Sequence, residues 1–112
     1  MEISNTKQGP VVTLSLKGRL DASTSKSLEE TLLDLINNAN ERLFVIDFQQ
    51  LDYISSAGLR VLLMAAKLLK PENGRIALTS LKDHLQEIFE ITGFQGIFPI
   101  FKNQEEAMKI LS

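Results

Sequence analysis

Short strand-like runs alternate with helix-like segments along this chain, and this alternation limits the possible folds more than any other feature. A weak edge strand is predicted over residues 1–6, before a turn at Gly9-Pro10. The next run, Val11 to Lys17, alternates apolar and polar residues, which indicates a half-buried strand. The run Leu43 to Ile46 is continuously apolar and is typical of a strand buried on both faces.

Helix-like segments fill most of the remaining sequence. Leucine, isoleucine and alanine recur at helical spacing over about 24–38, and residues 59–70 are apolar over most of a helical circumference. A third helix is predicted from Ser80 or Leu81 to Thr92-Gly93, and Asn103 is a good N-cap for a fourth. Two further strands are predicted at 75–79 and 97–101, the last near an edge because it contains a proline.

The resulting order is β-β-α-β-α-β-α-β-α. The short first connection favours an antiparallel hairpin, and the alternation that follows predicts a mixed, mostly parallel sheet with right-handed crossovers. The expected class is therefore an α/β fold with about four helices. Within it, Gly18 is expected to close the second strand, and residues 49–52 to form a turn before the second helix.

Length and composition exclude several classes of protein. The 112 residues fit one domain spanning 1–112, and the absence of cysteine excludes disulfides and thiolate metal sites. The net charge of −2 is dispersed, so no basic patch indicates direct nucleic-acid binding. The longest apolar runs are far shorter than the roughly twenty residues of a membrane span. With no signal-peptide pattern at the N-terminus, a cytoplasmic protein that binds no membrane is expected.

The segment Ser55-Ser56-Ala57-Gly58-Leu59 joins a buried strand to a buried helix. A serine here is commonly an N-cap, which accepts a hydrogen bond from a free N–H of the first turn. Two adjacent hydroxyls beside small residues also leave the helix start sterically open to a kinase. The residues alone leave both interpretations open and favour the simple cap.

Residues 51–62, Leu-Asp-Tyr-Ile-Ser-Ser-Ala-Gly-Leu-Arg-Val-Leu, resemble the signature of the STAS-domain anti-sigma factor antagonists. Three flanking pieces fit the same pattern in order: Gly18-Arg19-Leu20-Asp21, Asp47, and Thr92-Gly93-Phe94. The resemblance spans nearly the whole chain and implies the STAS fold.

The resemblance also implies a function. In that family the unphosphorylated antagonist binds an anti-sigma factor that is also its serine kinase, and so frees a sigma factor. Phosphorylation breaks the complex and a serine phosphatase restores it. Such a protein is not an enzyme, needs no cofactor, and is expected to be a monomer when free.

The family's phosphorylated serine lies two positions before the glycine, which here is Ser56. Many members carry aspartate just before that serine; this chain has Ser55, which makes Ser55 a rival acceptor. The resemblance further implies a surface that contacts the partner, and the residues assigned to it are Asp21, Ser55, Ser56, Ala57, Gly58 and Arg60.

Other functions have weaker support. The main alternative is a STAS module that serves as a scaffold or binds a nucleotide or small ligand. Asp47, at the end of a buried strand beside the serine loop, could be the acceptor of a receiver domain, but the acidic pair that holds its divalent ion is missing. The single histidine, His84, is expected at the surface, and no phosphate-binding loop motif is present.

Overall fold

The computed structural model describes residues 1–111, which form one sheet covered by helices on both faces. The strands are β1 (Glu2–Gln8), β2 (Val11–Leu20), β3 (Leu43–Ile54), β4 (Arg75–Thr79) and β5 (Ile100–Phe101). The helices are α1 (Ser25–Leu33), α2 (Ser56–Leu69), α3 (Asp83–Thr92) and α4 (Gln104–Leu111). The predicted order of elements is confirmed.

The strands lie side by side in sequence order, β1-β2-β3-β4-β5. β1 is antiparallel to β2, and the other neighbouring pairs are parallel. The predicted hairpin and mostly parallel sheet are therefore confirmed, and β5 lies at an edge as its neighbouring proline indicates. No helix between residues 1 and 111 is long and apolar enough to cross a membrane.

The alternation of side chains along β3 separates two apolar cores. Phe44, Ile46 and Phe48 point to the larger core, where α1, α2 and α3 pack. Val45 points to the opposite face and packs with Ala107 of α4 in a smaller core. Burial on both faces explains why this part of β3 is continuously apolar.

Two predicted boundaries along β2 and β3 are wrong. Gly18 does not close β2, which continues to Leu20 with Gly18 at φ +107° and a shift of register beside it. Residues 49–52 form no turn, because β3 continues through them to Ile54. Each strand supplies the other with backbone partners in this stretch, so pairing overrides the turn-like composition.

The predicted ends of other elements also differ. α3 begins at Asp83 rather than at Ser80 or Leu81, because Ser80 adopts φ +61° and its N–H donates to the Phe101 carbonyl at 3.2 Å. β5 has only two residues, because the N–H groups of Ile97 and Phe98 both donate to the Phe94 carbonyl at 2.9 Å and so continue the preceding turn instead of joining the sheet. The first helix ends in a π-helical turn over 34–38, within the predicted range.

Asp47 does not lie beside the serine loop. It stands in the middle of β3, in register with Ser15 and Thr79. One carboxylate oxygen accepts from the Gln49 N–H at 3.0 Å and the other from the Gln104 side-chain amide at 2.8 Å. Asp47 therefore helps to hold the start of α4 against the sheet.

Candidate functional site

The predicted site lies where β2 and β3 end next to each other. Leu20 and Ile54 are in register, and the Ser55 N–H donates to the Leu20 carbonyl at 2.8 Å. The turn from β2 to α1 and the turn from β3 to α2 therefore lie at the same edge of the sheet. This brings Asp21 and the two serines together, as the parallel pairing requires.

Ser55 is the N-cap of α2. Its backbone is extended (φ −95°, ψ 171°), and its hydroxyl oxygen accepts from the Gly58 N–H at 3.2 Å. Its carbonyl accepts from the Leu59 N–H at 3.0 Å. The simple capping role considered for either serine thus falls to Ser55.

Ser56 is the first residue of α2 and its side chain is exposed. No group among residues 1–111 hydrogen-bonds its hydroxyl. The positive end of the helix dipole lies at this point, and Arg60, also exposed, follows one turn later along α2. The hydroxyl is therefore sterically accessible in surroundings that favour a negative charge.

Gly58 has the close-packing role that the simple capping interpretation of this segment includes. The residue is buried, and a Cβ added to it would lie 2.7 Å from Leu20 Cγ and 3.1 Å from Ile54 Cγ1. A side chain would collide with the core, so glycine lets the start of α2 lie directly against the ends of both strands. Gly58 therefore shapes the site from beneath, whereas Ala57 is half-buried and Arg60 is exposed.

Asp21 organises the neighbouring turn. One of its carboxylate oxygens accepts from the Ser23 hydroxyl at 2.7 Å, from the Ser23 N–H at 3.0 Å and from the Thr24 N–H at 3.1 Å. These bonds, that from the Ser23 hydroxyl above all, lower the pKa of Asp21 below its ordinary 3.8. The turn therefore presents a negative charge at the same edge of the sheet as Ser56.

Two side-chain contacts next to this edge had not been expected from the sequence. The Arg19 guanidinium lies over the Tyr53 ring, 4.2 Å from its centre, because these residues are in register on paired strands. The sequence prediction ended β2 at Gly18 and so left Arg19 outside the sheet. A strand that continues to Leu20 places Arg19 beside Tyr53.

The second contact connects β3 to the start of α3. Asp52 forms an ion pair with Lys82, which lowers the pKa of Asp52 through a hydrogen bond and through the positive charge. His84 is exposed, as expected, and its Nε2 lies 2.7 Å from the Asp52 carbonyl oxygen. No local pattern connects residues thirty positions apart, so only the fold could reveal this pair.

This architecture is found in known proteins. Residues 2–107 match the family model described as the STAS domain. The chain belongs to the STAS domain family. A Bordetella bronchiseptica protein with the provisional name anti-sigma factor antagonist BtrV is 39% identical over 107 residues, covering 96% of this chain and 91% of that protein.

Solved structures share this fold. An anti-sigma factor antagonist from Mycobacterium paratuberculosis superposes with a TM-score of 0.89 at 20% identity, covering 98% of this chain and 92% of that one. The Bacillus cell fate determinant SpoIIAA in its phosphorylated form superposes with a TM-score of 0.79 at 18% identity, covering 99% of this chain and 100% of that one.

Proposed function

We propose that this STAS protein is an anti-sigma factor antagonist controlled by phosphorylation of Ser56. Unphosphorylated, it binds an anti-sigma factor that is also its serine kinase, and a sigma factor is released. Phosphate on Ser56 ends this binding, and a serine phosphatase removes it. The observation that carries the proposal is the exposed, unbonded hydroxyl of Ser56 at the start of α2.

The names of similar proteins support the first part of this proposal, since relatives and structural neighbours are named anti-sigma factor antagonists. The structure of SpoIIAA in a phosphorylated form supports a phosphorylated state on this fold. In this mechanism the protein is a substrate and a binding partner rather than an enzyme, and it acts in the cytoplasm with the transcription machinery.

The fold is suited to carry the phosphate. Phosphorylation adds about −1.5 to −2 charges at neutral pH. The helix dipole and the free N–H groups of the first turn favour an anion at this position, and Arg60 is one turn away. We therefore expect phosphorylated and unphosphorylated forms to have the same fold and nearly the same stability.

The complex, in contrast, has to bury the phosphate. A dianion placed in an interface loses its hydration and repels carboxylates of the partner. Excluding water also strengthens the repulsion from Asp21, which solvent screens in the free protein. A loss of about 3 kcal/mol in binding corresponds to an affinity lower by about two orders of magnitude. The switch would thus act on binding rather than on folding.

The geometry supports Ser56 over Ser55 as the acceptor. The Ser55 hydroxyl is engaged by the Gly58 N–H, and the residue is half-buried. Phosphorylation of Ser55 would disturb the cap of α2, whereas Ser56 can be modified with no hydrogen bond lost.

The test is to incubate the protein with ATP and the anti-sigma factor encoded in the same genome, and to map phosphate by mass spectrometry. We expect one phosphate, on Ser56, in the wild type and in Ser55→Ala, and none in Ser56→Ala. Binding of the anti-sigma factor should persist in Ser56→Ala and weaken about 100-fold in Ser56→Asp.

Three results would contradict the proposal. Equal affinity of Ser56→Ala and Ser56→Asp would exclude control by charge at this position. Phosphate on Ser55 alone would move the switch to the capping residue. A chain that takes up no phosphate and retains a small ligand through purification would instead support the ligand-binding type of STAS module.

A further inference from the structure

A cleft of about 710 Å³ lies at the other end of α2, far from Ser56. It is formed by the last turns of α2, the start of β4 and the turn before β5. Its floor is apolar and includes Leu63, Ile76 and Ile97; residue Ile97 is 49% exposed. Its rim carries three exposed cations, which are Lys67, Lys70 and Arg75.

The charge of this region differs in sign from that of the chain as a whole. Residues 56–75 include four basic residues and one acidic residue, whereas the other residues include eight basic and thirteen acidic ones. Within residues 1–111, no carboxylate lies within ion-pair distance of the three rim cations. The cleft thus combines a positive rim with an apolar floor in a chain of net charge −2.

This arrangement favours an acidic protein segment over a small molecule. Small-ligand sites enclose most of their ligand, but exposed side chains form the rim here and leave the cleft open. A nucleotide has no aromatic ring to stack on, since no residue that lines the cleft is aromatic. A carboxylate-bearing segment with one bulky apolar side chain complements both the rim and the floor.

We propose that this cleft is a second docking point for the same anti-sigma factor that covers Ser56. An acidic segment of that partner would place an aliphatic or aromatic side chain on the floor and its carboxylates against the rim. This inference rests on the proposed function, and it specifies a part of the interface that phosphorylation does not reach.

The outer face of α2 connects the two ends. A smaller groove of about 400 Å³ is lined by Arg60, Leu63, Met64, Lys67 and Leu68, and it shares Leu63 and Lys67 with the cleft. The 14 residues of α2 extend over about 20 Å. An interface of standard size, about 800 Å² on each partner, covers such a distance.

The distance between the cleft and Ser56 also predicts how substitutions at the two ends of α2 combine in their effect on affinity. Exposed charges about 20 Å apart are screened at physiological ionic strength, where the Debye length is about 8 Å. Cleft substitutions and the charge at Ser56 should therefore change affinity independently, and their effects should multiply.

The experiment measures binding of the anti-sigma factor from the same genome to six forms of the chain at two salt concentrations. Four forms are wild type, Ser56→Asp, the double variant Lys67→Glu/Arg75→Glu, and the control Lys102→Glu/Lys109→Glu. The other two are the double variant combined with Ser56→Asp, and Ile97→Ser. The control makes the same charge change at two exposed lysines, of which Lys102 lies two residues before α4 and Lys109 lies within it. Circular dichroism melting checks that each variant folds.

We expect Lys67→Glu/Arg75→Glu to weaken binding at least 10-fold at low salt and the control less than 2-fold. The affinity of the cleft variant should depend much less on salt concentration than that of the wild type. Adding Ser56→Asp to the cleft variant should lower its affinity by the same factor as adding it to the wild type. Ile97→Ser, which removes the exposed apolar part of the floor without changing charge, should accelerate dissociation.

The failures are distinguishable. If the cleft variant binds like the control, the docking inference is wrong and the proposed function stands. If the wild type binds no anti-sigma factor, the proposed function is wrong and the inference falls with it. If sedimentation shows a dimer that the cleft substitutions dissociate, the cleft belongs to a second copy and the inference is overturned.

Discussion

The two turns at the shared edge of the sheet are built from similar residues, but they use them differently. In the turn from β2 to α1, the Asp21 carboxylate accepts from the side chain of Ser23 and the backbone of Thr24, so the polar groups satisfy one another. In the turn from β3 to α2, only the Ser55 hydroxyl is bonded, and that of Ser56 is exposed.

This difference shows how one hydroxyl becomes available for chemistry among many. The first turn is rich in hydroxyls, yet its Ser23 donates to a carboxylate and contributes to a closed hydrogen-bond network. In the second turn, Ser55 performs the capping and Gly58 allows close packing, so Ser56 is left without a structural role. A residue without a structural role can change its charge without unfolding the helix beside it.

Substitution of Gly58 should have the largest effect on stability. In Gly58→Ala the new Cβ would meet Leu20, a fully buried side chain, at 2.7 Å. Overpacking of this kind exceeds the gain in helix propensity, and we expect a net loss of roughly 1–2 kcal/mol in the free energy of unfolding. Urea denaturation of the wild type and of Gly58→Ala measures this difference in the free energy of unfolding.

Gly96→Ala is the matched control, because nothing lies within 4 Å of its added Cβ and its φ is not positive. It should change stability by less than about 0.5 kcal/mol. Equal effects of the two substitutions would show that the start of α2 can move away from β2, and the close packing would then not define the second turn.

The two serines should differ in stability by a smaller amount. Ser55→Ala removes the cap on the Gly58 N–H and should cost about 1 kcal/mol. Ser56→Ala removes no hydrogen bond and should change the free energy of unfolding by less than about 0.5 kcal/mol. Thermal unfolding followed by circular dichroism compares them, and a larger loss for Ser56→Ala would reverse the assignment of roles.

The smallest effect is expected in the acid titration of the first turn. Because the pKa of Asp21 is lower in the folded protein than its ordinary 3.8, its carboxylate stabilises the fold above about pH 4. That contribution is lost as the pH falls through the lowered value. Carboxyl carbon NMR can follow this titration residue by residue.

Ser23→Ala should raise the pKa of Asp21 towards 3.8, because the Ser23 hydroxyl is the main cause of the shift. Asp52, whose pKa is lowered mainly by its hydrogen bond with Lys82, is an internal reference that the substitution should leave unchanged. If the pKa of Asp21 were the same in Ser23→Ala as in the wild type, the hydrogen bond from the Ser23 hydroxyl would not be the cause of the lowered value.

The sequence predicted the order of elements because that order depends on local periodicity. The alternation in β2, the continuous apolar run at the start of β3 and the helical spacing in α1 each reflect which faces are buried. It also pointed to Ser55 and Ser56, since caps and small residues at a helix start are local features.

The sequence left other features open, and only the tertiary structure decided them. Residues 49–52 became part of β3 because an extended β2 offered backbone partners, which no window of local sequence contains. The ion pair of Asp52 with Lys82 and the packing of Gly58 against Leu20 join residues 30 and 38 positions apart. Which serine caps α2 and which is left exposed likewise depends on the position at which β3 ends and α2 begins. The pairing of β2 with β3 sets that position.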